Sequence, residues 1–534
     1  MKVITEPSIA VKIQKMKERV RWSHPSIVSR SIDQTSMVID DGKEGSEEFS
    51  FLVIGDSGSG PHRTHNPQRE IAELMLPHRD ECSFVLHTGD VMYLVGSRDY
   101  YPDNFIKPYR EFLVGGEKYE CISYDNMTFN QPFLPVPGNH DYYEVPFFYR
   151  LLAGATLPLR RFFGYKDLDL SWNSSYKGDA YARAFIDYLK RFNSQEKLEY
   201  HLNSHYTGKT DFGRCLRYIP GKFTRLPNRY YTFRYGGIDF FALDSSTFNE
   251  PLTSANVNEI HSQSEHDERR FLTTERLKVE QEQQQIIATI SILNGEIPEE
   301  AEKIDDLNAK LEQLDEIKMD LDKQLNHNKS KIIDFEQLHW LEERLIKSWE
   351  DPAVRGRIIY FHHPPYVTEA TKWGQAQTLA VRHRLRKVLD NVVEKLGCFP
   401  SQSPIVDLIL NGHAHCFEHL QTLDTGHADS NLNCIVCGGS GFSLRRQREE
   451  GAELTETFFT ESATEVRKVA ICQRFIGRSG QGSDKRRPYS GIRINVRKGN
   501  PLQFSIIPFV AERHEHQWYY PEIEPLTINP IGLS

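Results

Sequence analysis

Five short apolar runs, each stopped by Asp, Asn or His, constrain the fold of this chain more than any other feature. The runs are FSFLVIGD (49–56), CSFVLHTGD (82–90), FLPVPGNHD (133–141), RGRIIYFHHPPY (355–366) and PIVDLILNGHAH (404–415). Apolar runs of this length that end in Gly or polar residues are typical of buried strands. Because ligand sites gather at the carboxyl ends of strands in open α/β sheets, we expect the polar residues after these runs to share one site.

Segments with helical spacing separate these runs. Ile71, Leu74 and Met75 recur at helical spacing after the first run, and the amphipathic segment 335–349 precedes the fourth. A strand, a helix and a second strand within about forty residues form a βαβ unit. We therefore predict an α/β protein, with a β-hairpin turning at Gly236 and Gly237.

The composition changes abruptly between residues 258 and 330, where Glu, Gln, Lys, Leu and Ile dominate. In the second half, apolar residues recur at spacings of three and four, with Lys318 interrupting one position: Ile304, Leu307, Leu311, Leu314, Leu321 and Leu325. The first half is less regular, with Leu277, Ile286, Ile287, Ile290 and Leu293. We predict an antiparallel helical hairpin, a coiled-coil insertion. It is either a solvated spacer or an arm for a protein partner or for self-association.

Two further segments fall outside the predicted core. Residues 1–48 are polar and end in an acidic turn, which indicates an N-terminal extension. Residues 155–225 are rich in aromatic and basic residues, and we interpret them as a lid-like insertion over the site. The remaining residues, 49–257 and 331–534, would then form one domain.

Composition narrows the class of protein. The chain is 39% hydrophobic and 26% charged with a net charge of -9, which indicates a globular protein and gives no reason to expect nucleic acid as a partner. No run of eighteen apolar residues occurs and the N-terminus lacks a signal-like apolar segment, so we expect no membrane span and a cytoplasmic location. Cys434 and Cys437 lie in a β-like run, where residues three apart point to opposite faces, which disfavours a shared metal.

The polar residues after the five runs have the donor atoms of a metal site. They carry oxygen or imidazole donors without a thiolate: Asp56, Asp90, Asn139, His140, Asp141, His362, His363, His413 and His415. Such mixtures suit Zn, Fe or Mn in hydrolytic sites, and this set could hold two ions. Asp90 has two oxygens and can bridge ions about 4 Å apart. His140 is a candidate acid, with Asp141 as the carboxylate that orients its ring.

Five motifs in this order resemble those of the calcineurin-like metallophosphoesterase superfamily. They are GDSG (55–58), GDVMY (89–93), GNHD (138–141), FHHPP (361–365) and NGHAH (411–415). The first two forms are similar to those of purple acid phosphatases, because Gly58 stands where most members have a His and Tyr93 follows Asp90 by three residues. The GNHD form is like that of their tartrate-resistant branch. The resemblance spans roughly residues 50–245 and 335–445, and it implies a two-sheet β-sandwich flanked by helices.

This resemblance implies two metal ions, Fe(III) and a divalent Fe, Zn or Mn ion. The iron ligands would be Asp56, Asp90, Tyr93 and His415. Asp90 would bridge to the divalent ion, whose other ligands would be Asn139, His362 and His413. A phenol with a pKa of about 10 ionises near neutrality only when a strong Lewis acid binds it, so Tyr93 indicates iron.

The choice between the two adjacent histidines rests on the family pattern. In HHPPY (362–366) the first histidine matches the H-x-P-x-Y form, so His362 is the preferred ligand and His363 would contact substrate or support a ligand. The tartrate-resistant enzymes carry another substrate histidine about nine residues past the ligand histidine, where this chain has Thr371. Residues that could replace it are Lys372, Arg382 and His383.

The function that the resemblance implies is hydrolysis of a phosphate-ester substrate by a metal-bound hydroxide. His140 would protonate the leaving oxygen or hold the phosphoryl group. Phosphomonoesters are the preferred substrates, as in acid phosphatases. Two alternatives stay open: a phosphodiesterase with the same metals, and a scaffold protein that works through the helical hairpin.

Overall fold

Two β-sheets packed face to face form the centre of the protein. The computed structural model describes residues 5–43, 46–60, 62, 65–144, 175–252, 265–326, 332–397, 404–459, 464–481, 484–499 and 502–528. Helices cover the outer sides of both sheets. The predicted α/β fold with two sheets and flanking helices is therefore confirmed.

The element bounds are as follows. The helices are α1 (Ile9–Arg19), α2 (Pro25–Val28), α3 (Pro67–Arg79), α4 (Asp179–Phe185), α5 (Gln195–His205), α6 (Glu265–Ser291), α7 (Pro298–Leu325), α8 (Phe335–Glu350) and α9 (Ala376–Leu396). The strands are β1 (Ile32–Ile39), β2 (Phe49–Ile54), β3 (Val85–His87), β4 (Phe133–Pro135), β5 (Gly208–Thr210), β6 (Gly213–Tyr218), β7 (Tyr231–Tyr235), β8 (Ile238–Ala242), β9 (Gly356–Tyr360), β10 (Leu408–Asn411), β11 (Phe417–Thr422), β12 (Asn433–Cys437), β13 (Glu453–Phe459), β14 (Thr464–Ile476), β15 (Arg487–Val496), β16 (Phe504–His514), β17 (Gln517–Tyr519) and β18 (Leu526–Ile528).

The smaller sheet carries the first three apolar runs. Among the described residues its order is β17-β16-β15-β2-β3-β4, with β18 paired to β16. Strands β2, β3 and β4 are parallel, and β15 pairs antiparallel with β2. Helix α3 packs against β15 and β16. The three parallel strands therefore end at one edge of this sheet.

The larger sheet carries the last two apolar runs. Across the described ranges its order is β13-β14-β11-β12-β10-β9-β8-β7-β1-β6-β5. Strands β8, β9, β10 and β12 are parallel neighbours. On its outer face Ile359 and Ile409 pack in the same cluster as Leu341 of α8 and Leu389 of α9. Alternate residues on β9 and β10 thus face the helices and the other sheet, as the pleat of a strand requires.

Aromatic rings join the two sheets. Phe51 of β2 lies with its ring centroid 5.7 Å from that of Phe240 on β8, in an edge-on arrangement. Phe84, just before β3, lies 5.4 Å from the same ring. Ring pairs at this separation and angle are favourable beyond their buried area, by about 0.5–1.5 kcal/mol each.

The segment predicted as an N-terminal extension is part of the larger sheet. Strand β1, within residues 1–48, lies between β7 and β6 and is parallel to both. Ile32, Met37 and Ile39 are buried in the main core. The prediction for this segment therefore needs correction, because β1 contributes both backbone pairing and apolar contacts to the core.

Two local predictions are confirmed. Strands β7 and β8 form the antiparallel hairpin, and Gly236 and Gly237 both have positive φ, 55° and 76°, as a two-residue turn of this kind requires. Cys434 and Cys437 lie on opposite faces of β12, since Cys437 packs in the core between the sheets and Cys434 packs on the helix side.

Helices α6 and α7 occupy most of the segment 258–330. Arg276 pairs with Asp322 at 2.6 Å and Glu280 with Lys318 at 2.7 Å, so the two helices run antiparallel. The side chains buried between them are Leu272, Val279, Ile286, Leu314 and Leu321. Two positions of the predicted apolar pattern, Leu277 and Ile287, are instead 51% and 57% exposed, because they face away from α7.

The segment predicted as a lid-like insertion, 155–225, is described only from residue 175. This part contains α4 and α5, and it adds β5 and β6 to the edge of the larger sheet beside β1. Residues 155–174 lie outside the described residues.

In the part of the chain that the structure describes, no helix combines the length and the apolar character needed to cross a membrane.

Candidate metal centre

The predicted ligands lie where the parallel strands of both sheets end. Asp56 follows β2, Asp90 follows β3 and Asn139 follows β4, while His362 follows β9 and the pair His413 and His415 follows β10. All are buried, with 0–2% of each side chain exposed. The two sheets therefore bring together residues that lie up to 359 positions apart, from Asp56 to His415.

Three of these residues have left-handed backbone. The φ angles of Asp56, Asp90 and His413 are 54°, 52° and 67°. Non-glycine residues rarely adopt this region, and those that do cluster at functional sites, where the surrounding structure holds them. Gly412 permits the approach of the last loop, since a Cβ there would lie 2.5 Å from Asp56 Oδ2.

Tyr93 directs its hydroxyl at the first group of ligands. Its oxygen lies 2.8 Å from Asp56 Oδ1, 3.0 Å from Asp90 Oδ2 and 3.1 Å from His415 Nε2. Burial and the two carboxylates hold the pKa of Tyr93 well above its ordinary range. Phe442 stacks on the phenol ring at a centroid distance of 4.3 Å and fixes its position. The phenol would ionise here only beside a strong Lewis acid.

His362 directs its Nε2 at the second group. This atom lies 2.9 Å from Asn139 Oδ1 and 3.2 Å from Asp90 Oδ2, while Nδ1 lies 2.9 Å from the carbonyl oxygen of Thr88. If Nδ1 donates to that carbonyl, the neutral ring has a lone pair on Nε2 that converges with the lone pairs of two oxygens. Three converging lone pairs fit a cation between them.

His413 completes the second group. Ligand atoms of Asp90, His362 and His413 all lie within 4.8 Å of one another. Gln377 Nε2 lies 3.3 Å from His413 Nε2, whereas the buried Nδ1 has no hydrogen-bond partner among the described residues. Buried ring nitrogens are seldom left unpaired, so this atom also fits a metal ligand.

Asp90 connects the two groups through one oxygen. Its Oδ2 contacts both Tyr93 and His362, while its Oδ1 accepts a hydrogen bond of 2.9 Å from the backbone N–H of His140. An oxygen between two ligand groups is in the position of a bridging ligand. The carboxylate, imidazole, phenol and amide donors therefore fit two adjacent cations that share Asp90.

The prediction that Asp141 orients the His140 ring needs correction. Asp141 accepts backbone hydrogen bonds from Val91 (3.2 Å), Met92 (3.2 Å) and Gly138 (2.9 Å), so it holds the two ligand loops together. The ring of His140 is instead oriented by a backbone carbonyl, since its Nδ1 lies 2.7 Å from the oxygen of Leu94. Its Nε2 is thereby directed into the site.

His363 supports a ligand and does not face the site. Its Nδ1 lies 2.8 Å from Ser245 Oγ and its Nε2 lies 3.2 Å from Asn249 Nδ2. Its ring packs 4.5 Å from that of His413, centroid to centroid. Both nitrogens contact side chains of this chain, so of the two predicted roles for His363 the geometry favours support of a ligand over contact with substrate, and the preference for His362 as the ligand agrees with the geometry.

Of the three residues considered as substrate contacts after Thr371, Lys372 lies at the site. Its ammonium group pairs with Glu316, whose other oxygen lies 3.4 Å from His140 Nε2, and it is 2% exposed. Arg382 stacks on Trp373 at 4.1 Å, and His383 is exposed.

Sequence reasoning missed two acidic residues of α7. Glu312 and Glu316 lie within 3.5 Å of His140 Nε2, and both are 7% exposed. Their four-residue spacing, repeated at Asp320, places them on one face of the helix, which is the signal that could have indicated a contact surface. Burial raises the pKa of Glu312 to about 8.

Comparison with known proteins gives a family match and a set of similar solved structures. Residues 49–251 match the family model of calcineurin-like phosphoesterases. No curated protein sequence matches the chain. Among solved structures, the purple acid phosphatase PPD1 from yellow lupin (Lupinus luteus) seeds is 12% identical with a TM-score of 0.38, over 91% of this chain and 54% of that one. This chain thus spans about half the length of that phosphatase.

Two further structures are similar at the same level. GAP50, the anchor in the inner membrane complex of Plasmodium, is 11% identical with a TM-score of 0.36, over 89% of this chain and 88% of that one. PhoD is 12% identical with a TM-score of 0.37, over 91% and 72%. The family match contains the loops of Asp56, Asp90 and Asn139, which supply ligands to both groups. Residues 49–251 are therefore similar to the calcineurin-like phosphoesterase domain.

Proposed function

We propose that this chain is a phosphoester hydrolase that works with two metal ions. The observation that carries the proposal is the position of Asp90, whose Oδ2 is shared at 3.0 Å by the Tyr93 hydroxyl and at 3.2 Å by His362 Nε2. The family match of residues 49–251 supports the same class of reaction.

Each ion would have its own set of ligands. One would be held by Asp56, Asp90, Tyr93 and His415, and the other by Asp90, Asn139, His362 and His413. Bound ions supply a Lewis-acid centre that lowers the pKa of water and neutralises charge on a phosphoryl group.

His140 supplies the proton for the leaving oxygen. Burial alone would lower its pKa, but the carboxylates of Asp90, Glu316 and Glu312 raise the pKa of His140 to about 10. Because Nδ1 faces the Leu94 carbonyl, the proton on Nε2 is the one directed into the site. A protonated imidazole in this position can act as a general acid.

Phosphomonoesters are the substrates that the local charge favours. The ammonium group of Lys372 and the imidazolium of His140 lie beside the centre and both contact Glu316. A phosphomonoester carries one more ionisable oxygen than a diester, so two cations next to the ions stabilise it more. Diester hydrolysis on the same centre is the alternative that the assay distinguishes.

The activity test compares two carboxylate substitutions. Asp90→Asn is expected to lower kcat/KM for p-nitrophenyl phosphate by at least about a thousandfold, because the bridging charge is lost. Asp239→Asn is the matched control, since Asp239 is a buried carboxylate of β8 that pairs with Arg234 at 2.7 Å. Wild-type protein loaded with iron, zinc or manganese that hydrolyses neither this monoester nor bis(p-nitrophenyl) phosphate would refute the proposal.

We also propose Fe(III) at the Tyr93 position, with a divalent Fe, Zn or Mn ion beside it. The support is a buried phenol directed at two carboxylates and an imidazole. Protein purified in air is expected to contain iron and to show a visible phenolate-to-iron band that Tyr93→Phe removes. Tyr101→Phe is the control, because the Tyr101 hydroxyl is buried without a hydrogen-bond partner in the described ranges. An active, colourless, iron-free enzyme would contradict the assignment.

A further inference from the structure

Helix α7 inserts the carboxylate of Glu316 between the His140 ring and the Lys372 side chain, beside the metal centre. Glu316 Oε1 lies 3.4 Å from His140 Nε2, and Glu316 Oε2 pairs with the ammonium group of Lys372. Both partners are buried, with Lys372 2% exposed and His140 fully enclosed. An imidazole and an ammonium group can donate hydrogen bonds to a phosphate group as they do to a carboxylate, so a phosphate group could bind in the same position.

Glu312 adds a second buried acidic side chain with few polar contacts. Its Oε1 lies 3.5 Å from His140 Nε2, and neither of its oxygens has a hydrogen bond within the described part of the chain. Burying a carboxyl group without hydrogen bonds is unfavourable. The position of α7 at the centre is therefore held by contacts elsewhere along the helix.

The two ends of α7 are held by charged and polar groups of the body. Asp306 contacts Arg478 at 3.1 Å, Arg487 at 3.0 Å, and Lys485. Asp320 lies about 21 Å further along the helix at the usual helical rise. It accepts hydrogen bonds from the backbone N–H groups of Ala376 and Gln377, both at 3.0 Å, where α9 begins. On one side of the site a carboxylate of α7 thus pairs with basic side chains, and on the other side a carboxylate accepts backbone N–H groups.

Apolar contacts, in contrast, hold α7 mainly to α6. Leu314 and Leu321 pack with Leu272, Val279 and Ile286 of that helix. Met319 is the side chain that packs against Val95 and Tyr143 of the body. An interface rich in charged contacts, on an element with its own apolar core, is typical of parts that move relative to each other.

Thr247 and Asp334, which come before and after α6 and α7 in the chain, are neighbours in the body. The backbone N–H of Asp334, just before α8, donates to the carbonyl of Thr247, just after β8, at 3.1 Å. Strand pairing in both sheets is made outside the segment between these residues. Movement of α6 and α7 together would therefore leave the sheets and the ligand loops unchanged.

We propose that α7 is an internal competitor of the substrate. Glu316 occupies a position between His140 and Lys372 that an anion can fill. Once α7 has moved away, the phosphate group of a substrate binds in this position and contacts Lys372. This inference rests on the proposed function, and it adds that the hydrolase is autoinhibited by its own insertion.

The test uses the full chain loaded with its metal ions and inorganic phosphate as the probe. Isothermal titration calorimetry gives the Kd, and hydrogen–deuterium exchange follows the amides of α7 with and without phosphate. Wild type is expected to show faster exchange in α7 when phosphate is present. Glu316→Gln, which keeps the shape and removes the charge, is expected to bind phosphate about tenfold more tightly.

Three more variants separate displacement from a local charge effect. Asp306→Asn weakens the far end of the helix and leaves the anion position intact, and it is also expected to tighten phosphate binding. Asp315→Asn is the matched control on α7, because Asp315 accepts from Gln283 of α6 at 2.7 Å, and its Kd is expected to equal that of wild type. Lys372→Met in the Glu316→Gln background is expected to weaken phosphate binding about tenfold.

The outcomes distinguish this inference from the proposed function. The inference would be overturned by phosphate affinity that is unchanged in both Glu316→Gln and Asp306→Asn, or by weaker phosphate binding in Glu316→Gln. Amide exchange in α7 that is the same with and without phosphate would also overturn it. If p-nitrophenyl phosphate is still hydrolysed in those cases, the proposed function stands alone. Tighter binding with faster exchange, but no turnover in any variant, would support the displacement and count against the hydrolase.

Discussion

Gly138 lies so close to Asp90 that one added methyl group tests the geometry of the metal centre. A Cβ at this position would lie 2.1 Å from Asp90 Oδ1 and 2.3 Å from its backbone nitrogen. Because a non-bonded carbon and oxygen need about 3 Å or more, either the carboxylate or the loop must move by about 1 Å. A displacement of that size at a reacting centre costs about a hundredfold in rate. The crowding should also lower the free energy of unfolding by about 1–3 kcal/mol.

Metal content and turnover measured together show whether the displacement acts through the centre. Gly138→Ala is expected to contain less metal per chain than wild type and to lose at least about a hundredfold in kcat/KM for p-nitrophenyl phosphate. Gly374→Ala is the control, because its Cβ would meet no described atom within 4 Å. A Gly138→Ala variant with wild-type metal content and kcat/KM would show that Asp90 does not bind metal from this position.

Three further predictions concern stability. Arg229→Met leaves Asp244 and Asp334 buried without their cation, so urea unfolding should show a loss of about 3–5 kcal/mol, and an unchanged midpoint would contradict it. Leu314→Ala opens a cavity between α6 and α7 at a cost of about 2–5 kcal/mol, and amide exchange should accelerate in these helices and not in β9. Burial raises the pKa of Glu418 to about 7, so the native state keeps a proton that the unfolded chain loses. The free energy of unfolding should then fall by about 3 kcal/mol as pH rises from about 4.5 to 7, and Glu418→Gln should abolish that part of the slope.

The sequence indicated where the candidate metal ligands lie because these residues are close, along the chain, to the ends of buried strands. Each predicted ligand lies within a few residues of the end of a buried apolar run, and parallel pairing of β2 with β3 and of β9 with β10 brings these ends together. Side-chain direction inside a loop depends on contacts that sequence does not show. Asp141 illustrates this, because its carboxylate turns toward backbone N–H groups of the ligand loops and away from the His140 ring, and the contacts of His363 decide between two roles that the sequence left open.

Strand β1 shows a different limit, which is set by long-range pairing. Within Ile32–Ile39 half of the side chains are polar, and Thr35 and Ser36 are buried with hydrogen bonds from side chains of α8. Its strand partners, β6 and β7, begin 181 and 199 residues later in the chain. A short segment of mixed polarity that becomes an interior strand through distant partners has no local pattern that would identify it.

The acidic face of α7 could not be interpreted from sequence for a related reason. Carboxylates at 312, 316 and 320 on one side of a helix are ordinary for a surface in contact with water. What distinguishes this face is its set of partners, which come from segments on both sides of the insertion in the chain: His140 before it, and Lys372 and the start of α9 after it. Complementarity of that kind arises only when the fold brings the segments together. The same fact makes the inference testable residue by residue, since each contact can be weakened from α7 without altering a metal ligand.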